Sequence, residues 1–279
     1  EYTRAVLEHY KDVIHYVTPF NEPHTAAEFC GKLAQWPPYL DNDKGYFEVM
    51  KNIVIGAQEQ SRIVKSLNME TVHIECTGGS FTEDEELQEL AYTDTAKQSS
   101  FFYFLTGDVS GIERFVEYGF RTGGLSEKDI DAFERGKTDI GIMGINFYPQ
   151  FSFKDIRKED GKIVYSNHAM WVNDLDDILR KRYERFSCPM LITETSVRDD
   201  EELKKRWIEE SLRYCLECRY PLLGYTYFPL IDMVDWEWRL DKGGDLSPYI
   251  ARFGLFDGER RERPAAQTYR AFAEGGAFR

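Results

Sequence analysis

Residues 173–194 read NDLDDILRKRYERFSCPMLITE: a helical stretch over 173–186, then a short apolar run from Pro189 to Thr193 that ends on a carboxylate, Glu194. The same succession occurs four more times. Residues 2–14 have helical spacing and lead into Tyr16-Val17-Thr18-Pro19-Phe20, followed by Asn21-Glu22. An amphipathic pattern over 45–67 leads into Thr71-Val72-His73-Ile74-Glu75-Cys76. A longer helical region precedes Asp139–Asn146, and a helix over 200–217 precedes Leu222–Phe228. Short apolar strands separated by helices imply a parallel sheet, because parallel strands need long crossovers and helices then cover both faces.

An open doubly wound sheet and a closed barrel share this local pattern. The position of the polar residues separates them. Asn21-Glu22, Glu75, Asn146 and Glu194 all fall at or just past the C-terminal end of a strand-like run, the rim on which barrel enzymes assemble their sites. No G-x-G-x-x-G or G-x-x-x-x-G-K-[ST] follows any strand, so nothing favours a nucleotide-binding sheet. The expected fold is therefore α/β, a (β/α)8 TIM barrel of which this chain supplies about the C-terminal five β/α units. Residues 1–279 are expected to form one catalytic-type barrel domain that is incomplete at its N-terminus. Five strands cannot close an eight-stranded barrel, so a missing N-terminal segment or another chain is expected to complete it.

Composition narrows the function. With 49 acidic and 35 basic residues the net charge is −14, which disfavours nucleic acid and anionic membrane surfaces as partners. No stretch approaches the roughly 20 apolar residues of a membrane span. Five cysteines form no regular framework, which fits a reducing, cytoplasmic setting. Cys215 and Cys218 form a C-x-x-C, but the flanks read as helix and no second pair or nearby His completes a metal site. The chain opens on Glu1 rather than Met, so a natural start and any targeting signal are expected upstream.

Two glutamates carry the chemistry. Glycoside hydrolysis requires one carboxylic acid to protonate the leaving oxygen and a second carboxylate to attack the anomeric carbon or to activate water. Glu22 and Glu194 end different strands, and strand ends of one barrel can place two carboxylates across a cleft. A strand-end Glu can equally be a helix cap or a surface charge; the flanking residues decide otherwise.

Phe20-Asn21-Glu22-Pro23 resembles the core of the T-x-N-E-P acid/base motif of the family 1 glycoside hydrolases, β-glucosidase-like members of the Asn-Glu-Pro barrel superfamily, with one additional residue after Thr18. Ile192-Thr193-Glu194 is similar to the family's [I/V]-T-E-N-G nucleophile motif, with Thr195-Ser196 in place of Asn-Gly. Asp139–Tyr148 resembles its D-F-x-G-[IL]-N-Y-Y strand, and Arg252-Phe253-Gly254-Leu255 its R-F-G-L. The four occur in the family's order. The resemblance implies Glu22 as general acid/base and Glu194 as nucleophile of a retaining reaction on a β-linked sugar, hydrolysis or transfer. It implies Asn21 on the sugar 2-hydroxyl, Tyr148 directed at Glu194, and Asn146 in the same subsite. No metal or organic cofactor is implied.

Two departures stand beside these matches. The family's W-S-[LM]-x-D-N-F-E-W strand aligns with Phe228–Trp238 in two registers. One places Asp235-Trp236 at the Glu-Trp positions; the other places Glu237-Trp238 there with two extra residues and keeps the carboxylate length. Only 21 residues precede Glu22, and the family's first three strands, with their sugar-gripping Gln and His, have no counterpart. The alternatives are a sugar-binding or scaffold barrel with weakened or lost turnover, and an endo-acting glycanase of the same superfamily.

Overall fold

The 24-residue helix Asp43–Ser66 begins where Asn42 accepts the Gly45 N–H at 2.8 Å and so satisfies one of the helix's orphan donors. Its buried residues Tyr46, Phe47, Met50, Val54, Ala57, Ser61 and Val64 recur at three- and four-residue intervals and give one inward face. The computed structural model describes residues 1–236, 238 and 244–275. These fall into two units, Glu1–Gly144 with Asp155–Tyr165, and Ile145–Lys154 with Ser166–Arg279.

The first unit opens with helix α1 (Tyr2–His9), strand β1 (Tyr16–Val17) and the short helix α2 (Pro23–Ala27). A π-helical turn, Glu28–Lys32, leads to α3 (Asp43–Ser66) and β2 (Glu70–Cys76). Then follow β3 (Gly79–Phe81), α4 (Gln88–Thr106), α5 (Glu113–Arg121) and α6 (Glu127–Gly136). Its core is aromatic: Phe47 meets Phe115 with ring centroids 5.0 Å apart, and Phe104 meets Phe133 at 4.9 Å. Each such ring, fully buried, contributes about 1.5–3 kcal/mol.

Strand β1 is parallel to β2, pairing Tyr16 with Glu70 and Val17 with Thr71, and Asn21 then bridges Ile74. Four residue steps on one side thus face three on the other. The additional residue after Thr18 is absorbed as a bulge, and Asn21-Glu22 stays level with the end of β2.

Strand β4 (Ile142–Asn146) runs from the first unit, where it neighbours β2, into the second, where it neighbours β7 (Met190–Glu194). The second unit adds α7 (Val172–Phe186), α8 (Glu201–Glu217), β8 (Leu222–Tyr225) and α9 (Pro264–Glu274). Strand β8 is parallel to β7. The core here is Phe147, Trp171 and Trp207, with centroids 5.9 and 5.1 Å apart. The fold is α/β, with helices alternating with the parallel strands expected from the sequence.

A hairpin, β5 (Phe153–Glu159) and β6 (Lys162–His168), lies where a search for apolar runs assigns no strand. Its turn is Asp160-Gly161, both at positive φ (49° and 74°), a pair favoured in two-residue hairpins. The first strand is mostly charged, and the second holds only the short, largely exposed apolar stretch Ile163-Val164-Tyr165. Cys215 is buried in α8 and Cys218 follows its last residue. No helix among the described residues is long and apolar enough to cross a membrane.

Gly141, at φ +69°, enters β4 where an added Cβ would lie 2.5 Å from Glu70 Oε1 and 2.6 Å from the Thr71 carbonyl. Gly141→Ala should therefore lower the urea midpoint at unchanged slope, by roughly 2–4 kcal/mol from left-handed strain plus overpacking. Gly56 sits inside α3 with nothing within 4 Å of its Cβ position. Gly56→Ala should instead stabilise by about 0.5–1 kcal/mol.

Candidate active site

In the second unit the site is built at the ends of two neighbouring strands. Just past β4, the Phe147 N–H donates to the Glu194 carbonyl at 2.9 Å, which fixes the register between the two strand ends. The next residue, Tyr148, then donates its hydroxyl to Glu194 Oε2 at 2.6 Å. Both side chains are partly exposed. A phenol donating to a carboxylate at this distance is a strong, charge-assisted hydrogen bond. It favours the ionised Glu194 and restricts its rotamer.

Tyr148 is itself held. Its N–H donates to Ser152 Oγ at 2.9 Å, and the N–H groups of Phe151 and Ser152 return to its carbonyl. Phe253, from the R-F-G-L segment, packs edge-on against the Tyr148 ring at 6.3 Å and against Phe151 at 5.8 Å. Asn146 is fully buried and accepts the Thr193 hydroxyl at 2.6 Å. Thr195, where the resemblance expects Asn, accepts the indole N–H of Trp207 at 3.0 Å.

The Trp-rich segment gives a mixed answer. Asp235 pairs with Arg198 at 3.0 Å, and that guanidinium lies 5.8 Å from the Phe253 ring centroid. Trp236 is half exposed. Trp238 donates its indole N–H to the Gly244 carbonyl at 3.2 Å. Glu237 lies outside the described residues.

In the first unit, Asn21 is exposed and Glu22 is partly exposed. Glu22 is the N-cap of α2, in a left-handed conformation (φ 49°, ψ 64°), and its N–H donates to the Ile74 carbonyl at 3.1 Å. Its side chain makes no cap hydrogen bond. Pro23 at the first helical position has no N–H to satisfy. The first amide in need of a partner is that of His24, and Glu75 Oε2 accepts it at 2.9 Å.

Glu75 is a functional candidate that the two-glutamate reading passes over: its strand end is legible, but its contact with α2 depends on tertiary packing. Its carboxyl is 1% exposed and is pushed up from 4.5 to about 8, first by burial and then by the charge of Glu22. Its Oε1 accepts the Cys76 N–H at 2.8 Å. Behind it, the Cys76 thiol donates to Gln98 Oε1 at 3.0 Å, and the Gln98 amide reaches His24 Nε2 at 3.0 Å. With Nε2 accepting, a neutral His24 carries its proton on Nδ1, 3.1 Å from the Tyr46 hydroxyl oxygen. Burial, then Lys97 and Lys32, lower His24 to about 3, consistent with a neutral ring. Among the described residues no group of three or more His, Cys, Asp or Glu could hold a metal ion.

Solved structures supply the comparison. The fold resembles that of the family 1 β-glucosidase from Thermotoga maritima, with a TM-score of 0.79 over 98% of this chain at 16% identity. The same enzyme in complex with isofagomine lactam matches equally, and its complex with glucoimidazole gives 0.77. At that identity the likeness establishes the fold. The chain spans 66% of the length of that enzyme. No family model and no curated protein matches the sequence.

The Glu75 shift has a sign that can be tested. A carboxyl raised above its unfolded value adds stability that is full below about pH 4.5 and is lost as pH rises through about 8. Glu75→Gln should therefore gain stability relative to the wild type between pH 5 and 8, on the order of 2–4 kcal/mol at about 1.4 kcal/mol per unit. Urea midpoints of both proteins at the two pH values measure this; a constant difference would contradict the buried, raised carboxyl.

Proposed function

We propose that the chain is the catalytic part of a retaining glycoside hydrolase of the family 1, β-glucosidase type, acting on a β-linked carbohydrate. The observation that carries this reading is the Tyr148 hydroxyl on Glu194 at 2.6 Å, between two strand ends. The ordered motifs around Glu22, Tyr148, Glu194 and Phe253 and the glycosidase-like fold support it.

In the first step Glu194 attacks the anomeric carbon, the glycosidic C–O bond breaks, and the Glu22 carboxyl gives its proton to the departing oxygen. The sugar is then an ester of Glu194. In the second step Glu22, now a carboxylate, takes a proton from water as that water displaces Glu194. An acceptor alcohol in place of water gives transfer. Tyr148 releases its hydrogen bond from the attacking oxygen as charge moves to carbon and restores it as the carboxylate leaves. Asn21 binds the sugar 2-hydroxyl, a contact that tightens as the transition state forms. Asn146 and Trp238 belong to the same sugar subsite. An N-terminal segment or another chain supplies the remaining barrel strands, and the cytoplasm is the setting.

A 2-deoxy-2-fluoro aryl glycoside should label the protein once, on the peptide carrying Glu194, and Glu194→Gln should neither turn over nor label. Tyr148→Phe should lower kcat/KM about 10²-fold, the order expected for losing one preorganised donor. Labelling elsewhere, or full activity of Glu194→Gln, would overturn the reading. Sugar binding by calorimetry with no turnover on a broad panel of aryl glycosides would show a binding protein instead.

A further inference from the structure

The Glu22 turn poses a problem that the sequence motif does not answer. An N-cap side chain ordinarily accepts a backbone N–H of its own helix, and such a bond at a positive helix end favours the anion of a carboxylate wherever burial does not outweigh it. A general acid has to carry a proton instead. At Glu22 the backbone is in the left-handed region and the side chain makes no cap bond. The cap comes from a different strand: Glu75 Oε2 accepts the His24 N–H, the first amide available after Pro23.

We propose that Glu75 is a positioning residue for Glu22, capping α2 in its place and holding the left-handed turn from which Glu22 acts in proton transfer. This rests on the glycosidase reading above.

The surroundings suit the role. Glu75 ends β2 beside the Asn21–Ile74 bridge, so its backbone is in register with the turn it caps. Its carboxyl is clamped by two backbone N–H groups, those of His24 and Cys76. The groups packed around it keep α2 in place: His24, Tyr46 of α3, and Gln98 of α4, joined through hydrogen bonds to Cys76. Lys97 lies 5.2 Å over the Tyr46 ring and is held by Glu28 at 3.3 Å. The burial of Glu75 and its raised proton affinity agree with a carboxyl that works through the turn, away from solvent. Acceptor geometry makes Glu75→Gln a partial replacement, since its single oxygen can still take the His24 N–H. Glu75→Ala removes the cap altogether.

The test compares two substrates of one sugar, a 2,4-dinitrophenyl glycoside whose leaving group departs without a proton, and an alkyl glycoside whose leaving group requires one. Glu75→Ala should lose about 10²-fold or more in kcat/KM on the alkyl glycoside, the lower end of what general acid catalysis supplies. It should lose less than about 5-fold on the dinitrophenyl glycoside. Glu75→Gln should fall between the wild type and Glu75→Ala on the alkyl substrate. Equal losses on both substrates in a variant with native circular dichroism, or no loss on either, would overturn the proposal. Should Glu75→Ala fail to fold, the same split in Glu75→Gln decides. A wild type that turns over neither substrate overturns the glycosidase reading instead. In that case amide exchange judges the cap separately: His24 should exchange at least 10-fold faster in Glu75→Ala than in the wild type, or by a smaller factor in Glu75→Gln should only that variant fold, and an unchanged rate in the variant measured would overturn the role of Glu75.

Discussion

A carboxylate that attacks carbon has to be ionised, pointed and still reachable, and burial alone works against the first of these. The hydrogen bond from the Tyr148 hydroxyl to Glu194 reconciles the three. It is worth about 1.5–3 kcal/mol as a bond to a charged group. Much of the second unit serves its geometry. The Phe147–Glu194 backbone bond sets the register, the Ser152 turn sets the Tyr148 backbone, and Phe253 fixes the ring. Trp207 braces Thr195 from α8, directly after the carboxylate.

The first unit treats its carboxylate differently. Glu22 is placed by backbone: a parallel bridge at Asn21, a bond to the Ile74 carbonyl, and a left-handed turn closed by proline. The cap is delegated to Glu75, which sits in a fully protein environment with a neutral histidine behind it. A side chain in the second role of a retaining reaction has to lose and regain a proton within each turnover, so a helix cap is a poor use for it. Two strand-end carboxylates with unlike supports suit the two unlike roles that the proposed retaining reaction would give them.

Much of this was legible in the sequence because parallel strands advertise themselves. Runs such as Met190–Thr193 and Ile142–Ile145 are continuous and apolar, and the first polar residue after each run marks the rim. Asn21-Glu22, Glu75, Asn146 and Glu194 stand out in that way, whereas Tyr148 is singled out by the motif resemblance. Even the extra residue after Thr18 had a physical counterpart, the bulge that keeps Asn21 level with Ile74. What stayed hidden depended on long-range packing. Glu75 marks a strand end like the others, and only its approach to α2 across the β1–β2 pair gives it a task. The hairpin at Asp160-Gly161 carried a turn signal, but its first strand is mostly charged and its second offers only three consecutive apolar residues, Ile163-Val164-Tyr165. In the Trp-rich segment the structure adds the Arg198–Asp235 pair, which ties one of the two candidate carboxylates to the loop after Glu194.

The central claim is a double displacement at Glu194, and the stereochemistry of the first product tests it most directly. Proton NMR of an aryl β-glycoside digest, recorded before mutarotation, distinguishes the two anomers. The account predicts that the β-anomer of the released sugar appears first and the α-anomer only later. Initial release of the α-anomer would mean single displacement by water and would contradict it.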